Sequence, residues 1–236
     1  MLLRAYFPQV VTTVLAGIFI ALGIFSFGKP AFFDRLFLCV LIFTAVVCYQ
    51  SINILSLLIL LIIARSIEEL AWLAFYDSYL ISVFINTLTI AVLIFLRFDP
   101  LSKLGFLIVT LAMCAEIYWM IIDYPAPELY WHVTLLLISF SMRYLSFMRF
   151  NIVDRFFPGK SKPTHLDWAI YNTYGFAIII QSAVLLEYLV RHVLGYSQVL
   201  VVYNAYVYLV HGIAVYVVFA IVNEIHRDLL QRLLKA

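Results

Sequence analysis

The sequence predicts an all-α polytopic membrane protein: a bundle of about eight transmembrane helices with both termini cytoplasmic, an arrangement of seven spans being the alternative. Three observations carry this. The 236 residues are 66% hydrophobic and only 12% charged, whereas roughly a quarter of the residues in a soluble domain are charged. Mean hydropathy is +1.06. The apolar residues also fall into runs of about 20, the length that crosses the hydrocarbon core as a helix, and charged, Pro or Gly clusters separate them. Disorder, collagen-like sequence and a disulfide-stapled secreted scaffold are excluded by the scarcity of Gly (8), Pro (7) and Cys (3). A net charge of +2 is too small to point to nucleic acid.

The predicted spans are 8–27, 32–49, 53–76, 79–96, 101–122, 128–148, 167–190 and 198–222, within a single integral membrane domain over 1–236. The first ends at Gly28-Lys29-Pro30 with no small-residue cleavage site after it, so it reads as a retained helix rather than a removed signal peptide. The second and third are split at Gln50-Ser51-Ile52-Asn53, the polar interruption of one long apolar run. Cys39, Cys48 and Cys114 sit inside apolar runs and read as small buried hydrophobes, with no disulfide or thiolate metal site.

Lys and Arg resist translocation and accumulate on the cytoplasmic side. With eight spans and the N-terminus inside, eleven of the fifteen lie in the cytoplasm, three (Lys29, Arg35 and Arg191) lie outside, and Arg65 lies within the third span. The acidic loop from Asp123 to Glu128 then falls outside as well. Fusing the second and third spans gives seven and scores almost as well on charge. It strands Leu70-Ala-Trp-Leu-Ala-Phe75 in a loop, however, and requires a helix of about 28 apolar residues, longer than a bilayer needs. Trp168, Tyr130, Trp131, Tyr79 and Tyr124 sit near predicted interfaces, where amphipathic rings are expected.

A hairpin-sized echo recurs: Glu69-x-x-Trp72 followed by Asp77, then Glu116-x-x-Trp119 followed by Asp123, offset by 47 residues. Glu187 is late in the seventh span in the same way. The echo reads as repeated helical hairpins, with chance matches among abundant Phe, Leu, Trp and Tyr as its competitor.

Charged side chains at mid-membrane cost roughly 2.5 to 3.5 kcal/mol on the insertion scale, so they face the bundle interior, pair, and mark function. Helical spacing puts Glu68 and Glu69 at i+3 and i+4 from Arg65, which can neutralise one carboxylate and leave the other to a second partner, a proton or a cation. The bland reading is an intrahelical ion pair plus an interfacial glutamate. Glu116, about four turns into the fifth span, needs a donor, a cation or a proton at its depth; as a structural group it would only hydrogen-bond a neighbouring helix. Glu187 is expected to reach headgroups or Arg191 at i+4. Asn204, Tyr208 and His211, at i, i+4 and i+7, form a polar stripe on the eighth span, and Ser82, Asn86 and Thr89 a milder one on the fourth. A midplane histidine can relay protons or ligate metal, but more often bonds a neighbouring helix.

No HExxH, Cys-x-x-Cys or bis-histidine helix pair is present, and no GxSxG, P-loop or glycine-rich dinucleotide fingerprint, so no metal, cofactor or catalytic residue is expected. The loop over 149–166 alternates basic residues with Phe150, Phe156 and Phe157, which suits an anionic inner leaflet or an ordinary topology determinant. The tail over 223–236, with Leu229, Leu230, Leu233 and Leu234 against Arg227, Arg232 and Lys235, is amphipathic and suits a membrane surface or a partner. The leading functional expectation is a small multi-pass transporter or channel for a cation or proton, using Arg65, Glu68, Glu69, Glu116, Asn204, Tyr208 and His211. A non-catalytic scaffold or accessory subunit, acting through a membrane-protein partner or a homo-oligomer, is the alternative. An intramembrane enzyme on a lipid-soluble substrate is third. The lipid bilayer is the expected surround in each case.

Overall fold

The structure, a computed structural model, describes residues 2–25, 30–74, 79–124, 129–196 and 198–235, with side chains described over 10–23, 25, 32–73, 81–124, 129–196 and 198–228. The side chains of Arg4, Tyr79, Arg232, Lys235 and the four tail leucines fall outside these, as do Lys29, Asp77 and Glu128.

The described residues form eight helices and no strand: α1 (Leu2–Phe25), α2 (Pro30–Val47), α3 (Ile52–Ala74), α4 (Tyr79–Phe95), α5 (Pro100–Ile121), α6 (Tyr130–Phe156), α7 (His165–Val193) and α8 (Val201–Lys235). Each predicted span overlaps one of them, with α6 running eight residues and α8 thirteen residues past the predicted ends of 148 and 222. Among the described residues, four segments are long and apolar enough to cross a membrane: Pro100–Ile121, Tyr130–Phe156, His165–Val193 and Val201–Asp228. Helix α3 is 23 residues long, but every window of 18 residues in it contains Arg65, Glu68 and Glu69. The chain is thus helical with membrane-protein character.

Local chemistry sets the helix ends. Cys48 to Gln50 form a turn, Ser51 N–H bonds Cys48 O at 2.9 Å, and Ser51 O then takes the first amides of α3, so α2 and α3 are separate helices. Asp99 caps α5 by accepting Leu101 N–H at 3.0 Å, and Pro100 follows where its missing N–H leaves nothing unsatisfied. Thr164 and Asp167 form a reciprocal capping pair at the start of α7: Thr164 N–H donates to Asp167 Oδ2 at 2.7 Å, and Asp167 N–H to Thr164 Oγ1 at 3.3 Å. Gly195, at φ 77°, takes the left-handed conformation just beyond α7.

The chain divides into two compact units. The first comprises Met1–Arg65, Leu145–Thr173 and Val210–Ala236. Its buried residues include Phe19, Phe33, Phe37, Leu57 and Leu58. Phe19 meets Phe33 at 4.9 Å between ring centroids, and a Cβ at Gly23 would stand 2.8 Å from the Phe33 ring, so the glycine lets α2 approach α1.

The second unit comprises Ser66–Tyr144 and Tyr174–Leu209. Helices α4 and α5 pack as an antiparallel hairpin whose closed end is fixed by Ser102 Oγ donating to Leu93 O at 2.7 Å. Ile108, Val109, Ala112, Trp119, Leu136 and Phe140 lead its core. Gly105 admits the Phe140 ring, 2.6 Å from where a Cβ would stand. The two halves of the sequence echo differ in environment: Trp119 is fully buried, whereas Trp72 is exposed beside Trp131.

Candidate functional site

The hairpin of the second unit carries Glu116. On α4, Ser82 and Asn86 are one turn apart and therefore share a face; on α5, Glu116 projects to meet them. Ser82 Oγ donates to Glu116 Oε2 at 2.9 Å, and Asn86 Nδ2 donates to the same oxygen at 3.1 Å and to Ser82 Oγ at 3.3 Å. Asn86 is only 1% exposed, and its Oδ1 is buried with no hydrogen-bond partner. A carboxylate, a hydroxyl and an amide oxygen are thus gathered on two adjacent helices with one acceptor unused. These are hard oxygen donors, the type that holds protons and alkali or alkaline-earth cations rather than soft metals.

Elsewhere in this unit, His132 Nδ1 lies 3.2 Å from Gln181 Oε1, and Gln181 Nε2 donates to the Tyr206 hydroxyl at 2.7 Å, tying α6, α7 and α8 together. Tyr124, Tyr188, His192 and Trp119 form an aromatic cluster in which the Tyr124 hydroxyl lies 3.2 Å from His192 Nδ1. Glu187, expected to reach headgroups or Arg191, instead accepts Val202 N–H at 2.6 Å and Tyr203 N–H at 2.9 Å. Its charge thereby neutralises the positive N-terminus of α8. Arg143 Nε donates to Asp99 Oδ2 at 2.8 Å, and its guanidinium occupies the space left by Gly175. Glu68 and Glu69 are half-buried on α3, whereas Asn204 and Tyr208 are exposed on α8.

In the first unit, Arg65 forms an ion pair with Asp34 on α2 and lies over the Phe37 ring, 5.7 Å from its centroid. Spacing along α3 suggested Glu68 or Glu69 as partners; Asp34 is one that only tertiary structure reveals. His211 is buried, stacks on Phe33 at 3.9 Å, and lies within electrostatic reach of Asp34 and Arg65. A denser joint surrounds Arg149, which is 1% exposed. It grips both oxygens of Asp167, donates to Lys162 O at 2.6 Å and to Ser56 Oγ at 3.2 Å, and reaches Asn53 Oδ1 at 3.4 Å. Sequence reasoning placed Arg149 among the cytoplasmic topology determinants and passed over Asp34 and Gln181. Both of the latter are polar residues inside apolar runs, and that signal was available.

No known family, curated protein or solved structure matches the chain. Among the described residues, no three of His, Cys, Asp and Glu come together in a way that could hold a metal ion.

Proposed function

We propose that the chain is a small eight-span transporter or channel for a proton or a small cation, with both termini cytoplasmic and Glu116 as its binding carboxylate. One observation carries the reading. The hydrogen bonds to Glu116 among the described residues come from neutral donors, Ser82 and Asn86, whereas Asp34, Asp99 and Asp167 meet arginines. An ionised carboxylate in a membrane helix without a cationic partner is expensive, and taking up a proton or a cation removes that expense.

The Asn86 amide suits the exchange. With Nδ2 turned inward it donates to an ionised Glu116; rotated by half a turn, its Oδ1 faces the carboxyl and can accept a hydrogen bond from its protonated form or ligate a cation beside it. Proton and cation then compete for the same oxygens, which is the elementary condition for coupled exchange. In the first unit, Arg65 held by Asp34 sets the charge around His211; in the second, Glu68 and Glu69 are further acidic positions. The test is flux through liposomes containing the purified chain. Glu116→Gln retains the hydrogen bonds but neither ionises nor releases a proton, and is expected to abolish flux in a folded protein; undiminished flux overturns the proposal.

A scaffold or accessory subunit is the second reading, favoured by the number of charged groups engaged in joints between helices: Arg149, Arg143 and Glu187. It predicts no flux from the isolated wild-type chain.

A further inference from the structure

Helices α6 and α7 are each long and apolar enough to cross a membrane, so the segment 157–164 between them lies at a membrane surface. Its course is fixed by residues of the first unit. Gly159, left-handed at φ 73°, donates its N–H to Asp154 Oδ1 at 3.0 Å and turns the chain. Ser161 Oγ then donates to Phe150 O at 3.3 Å, and Lys162 is held at both backbone groups, its N–H by Asn53 and its carbonyl by Arg149. Phe150 lies six residues before the end of α6, so the segment has come back about 9 Å along the helix.

That return sets the depth of the charges. Trp168 stacks on Tyr171 with 5.2 Å between ring centroids, and Tyr171 meets Phe147 at 6.0 Å, an aromatic group of the kind found where hydrocarbon gives way to headgroups. Trp168 follows Asp167, which Arg149 grips, so the rings and the returned segment share one level. The headgroup layer is about 5–7 Å thick on each side; a loop continuing along the axis of α6 would pass through it into water, whereas the returned segment stays within it. Lys160 and Lys162 are exposed there, as is Arg155 on the last turn of α6. None of the three has an ion pair among the described residues, whereas Arg65, Arg143 and Arg149 each meet an aspartate. Asp154 is the one acidic residue over 150–166.

We infer that this segment binds anionic phospholipid headgroups, with Arg155, Lys160 and Lys162 meeting the lipid phosphates and the exposed rings of Phe156 and Phe157 set at the interface beside them. Charge complementarity selects the occupant: each Lys or Arg held near an anionic leaflet adds to the attraction. A determinant of topology needs only positive charge on one side of the membrane. The fixed return of the backbone adds nothing to that role, but it holds three unmatched cations at the depth of the phosphates.

Trp168 reports on the site. The full chain is reconstituted in phosphatidylcholine vesicles containing phosphatidylglycerol, and the quenching of Trp168, taken as the difference between the wild type and Trp168→Phe, is compared for acyl-brominated forms of the two lipids. Phosphatidylglycerol is expected to be favoured about fivefold or more at low ionic strength, the preference shrinking as salt is raised. Equal quenching by the two lipids, or a preference that salt leaves unchanged, overturns the inference. Arg155→Gln, Lys160→Gln and Lys162→Gln together should remove most of the preference without lowering Tm, because the bonds that fix the segment do not use these side chains; Lys160→Arg with Lys162→Arg should keep it. A preference that survives the triple substitution overturns the inference. So does one abolished by millimolar inorganic phosphate at constant ionic strength, since the ligand is then a free anion.

Discussion

Removing the Arg149 side chain is the most informative perturbation of the fold. The guanidinium makes five hydrogen bonds: two to Asp167 and one each to Lys162 O, Ser56 and Asn53. Breaking a buried ion pair by removing one partner destabilises by roughly 3–5 kcal/mol. Here the lower end applies, because Asp167 keeps two bonds from Thr164 and Asn53 Oδ1 keeps Lys162 N–H at 2.9 Å. What Arg149→Ala strands is Lys162 O and one carboxylate oxygen. A loss of about 3 kcal/mol in a chain of this size lowers Tm by about 6–12 °C. Arg149→Lys keeps the charge, but a single ammonium cannot grip the carboxylate and the carbonyl as the planar fork does, so about half the loss is expected. Thermal unfolding of the purified chain in mild detergent measures both, and a double-mutant cycle with Asp167→Asn should give a coupling of about 1–3 kcal/mol. A loss below about 1 kcal/mol for Arg149→Ala, or strictly additive effects with Asp167→Asn, refutes the assignment of Arg149 as the joint between α3, α6 and α7.

Other outcomes follow from the same contacts. Gly175→Ala would displace the Arg143 guanidinium from its seat beside Asp99 and should destabilise by about 1–3 kcal/mol, whereas Gly17→Ala, where a Cβ meets open space, should be neutral or stabilise by up to about 1 kcal/mol; parallel thermal melts compare them. Glu187→Gln weakens the charged cap on α8 and should cost about 1 kcal/mol, visible as faster amide exchange at Val202 and Tyr203. Gln181→Leu leaves His132 and Tyr206 without their shared partner and should lower stability by about 1–3 kcal/mol. Glu116→Gln, by contrast, keeps acceptor and shape and should change stability by less than about 1 kcal/mol, which separates its effect on flux from an effect on folding.

The helices were legible because apolar runs and their Pro, Gly and Ser punctuation are local properties, and even the α2–α3 break was visible in Gln50-Ser51. The candidate site was half legible. Glu116 stood out as an intramembrane carboxylate and Ser82 and Asn86 as a polar stripe, but that the two meet depends on the register of the α4–α5 hairpin, which no local pattern encodes. Arg149 misled for a related reason. Its position near a span end is that of an ordinary topology determinant, and its burial comes from groups on α3, α7 and the loop before α7. Arg65 shows the same limit: spacing along one helix reveals Glu68 and Glu69, never Asp34 on another.

The acidic groups of this chain divide by the company they keep. Asp99 and Asp167 each do two things at once, capping a helix and holding an arginine, and Glu187 spends its charge on the amides of α8. Truncating any of these side chains removes a joint between helices or a helix cap. Glu116 differs because its hydrogen bonds, among the described residues, come from a hydroxyl and an amide, groups that can each turn to donate or accept. Under the proposed function, that difference is what separates Glu116 from the acidic joints: a carboxyl held by neutral donors can exchange a proton or cation without breaking an ion pair.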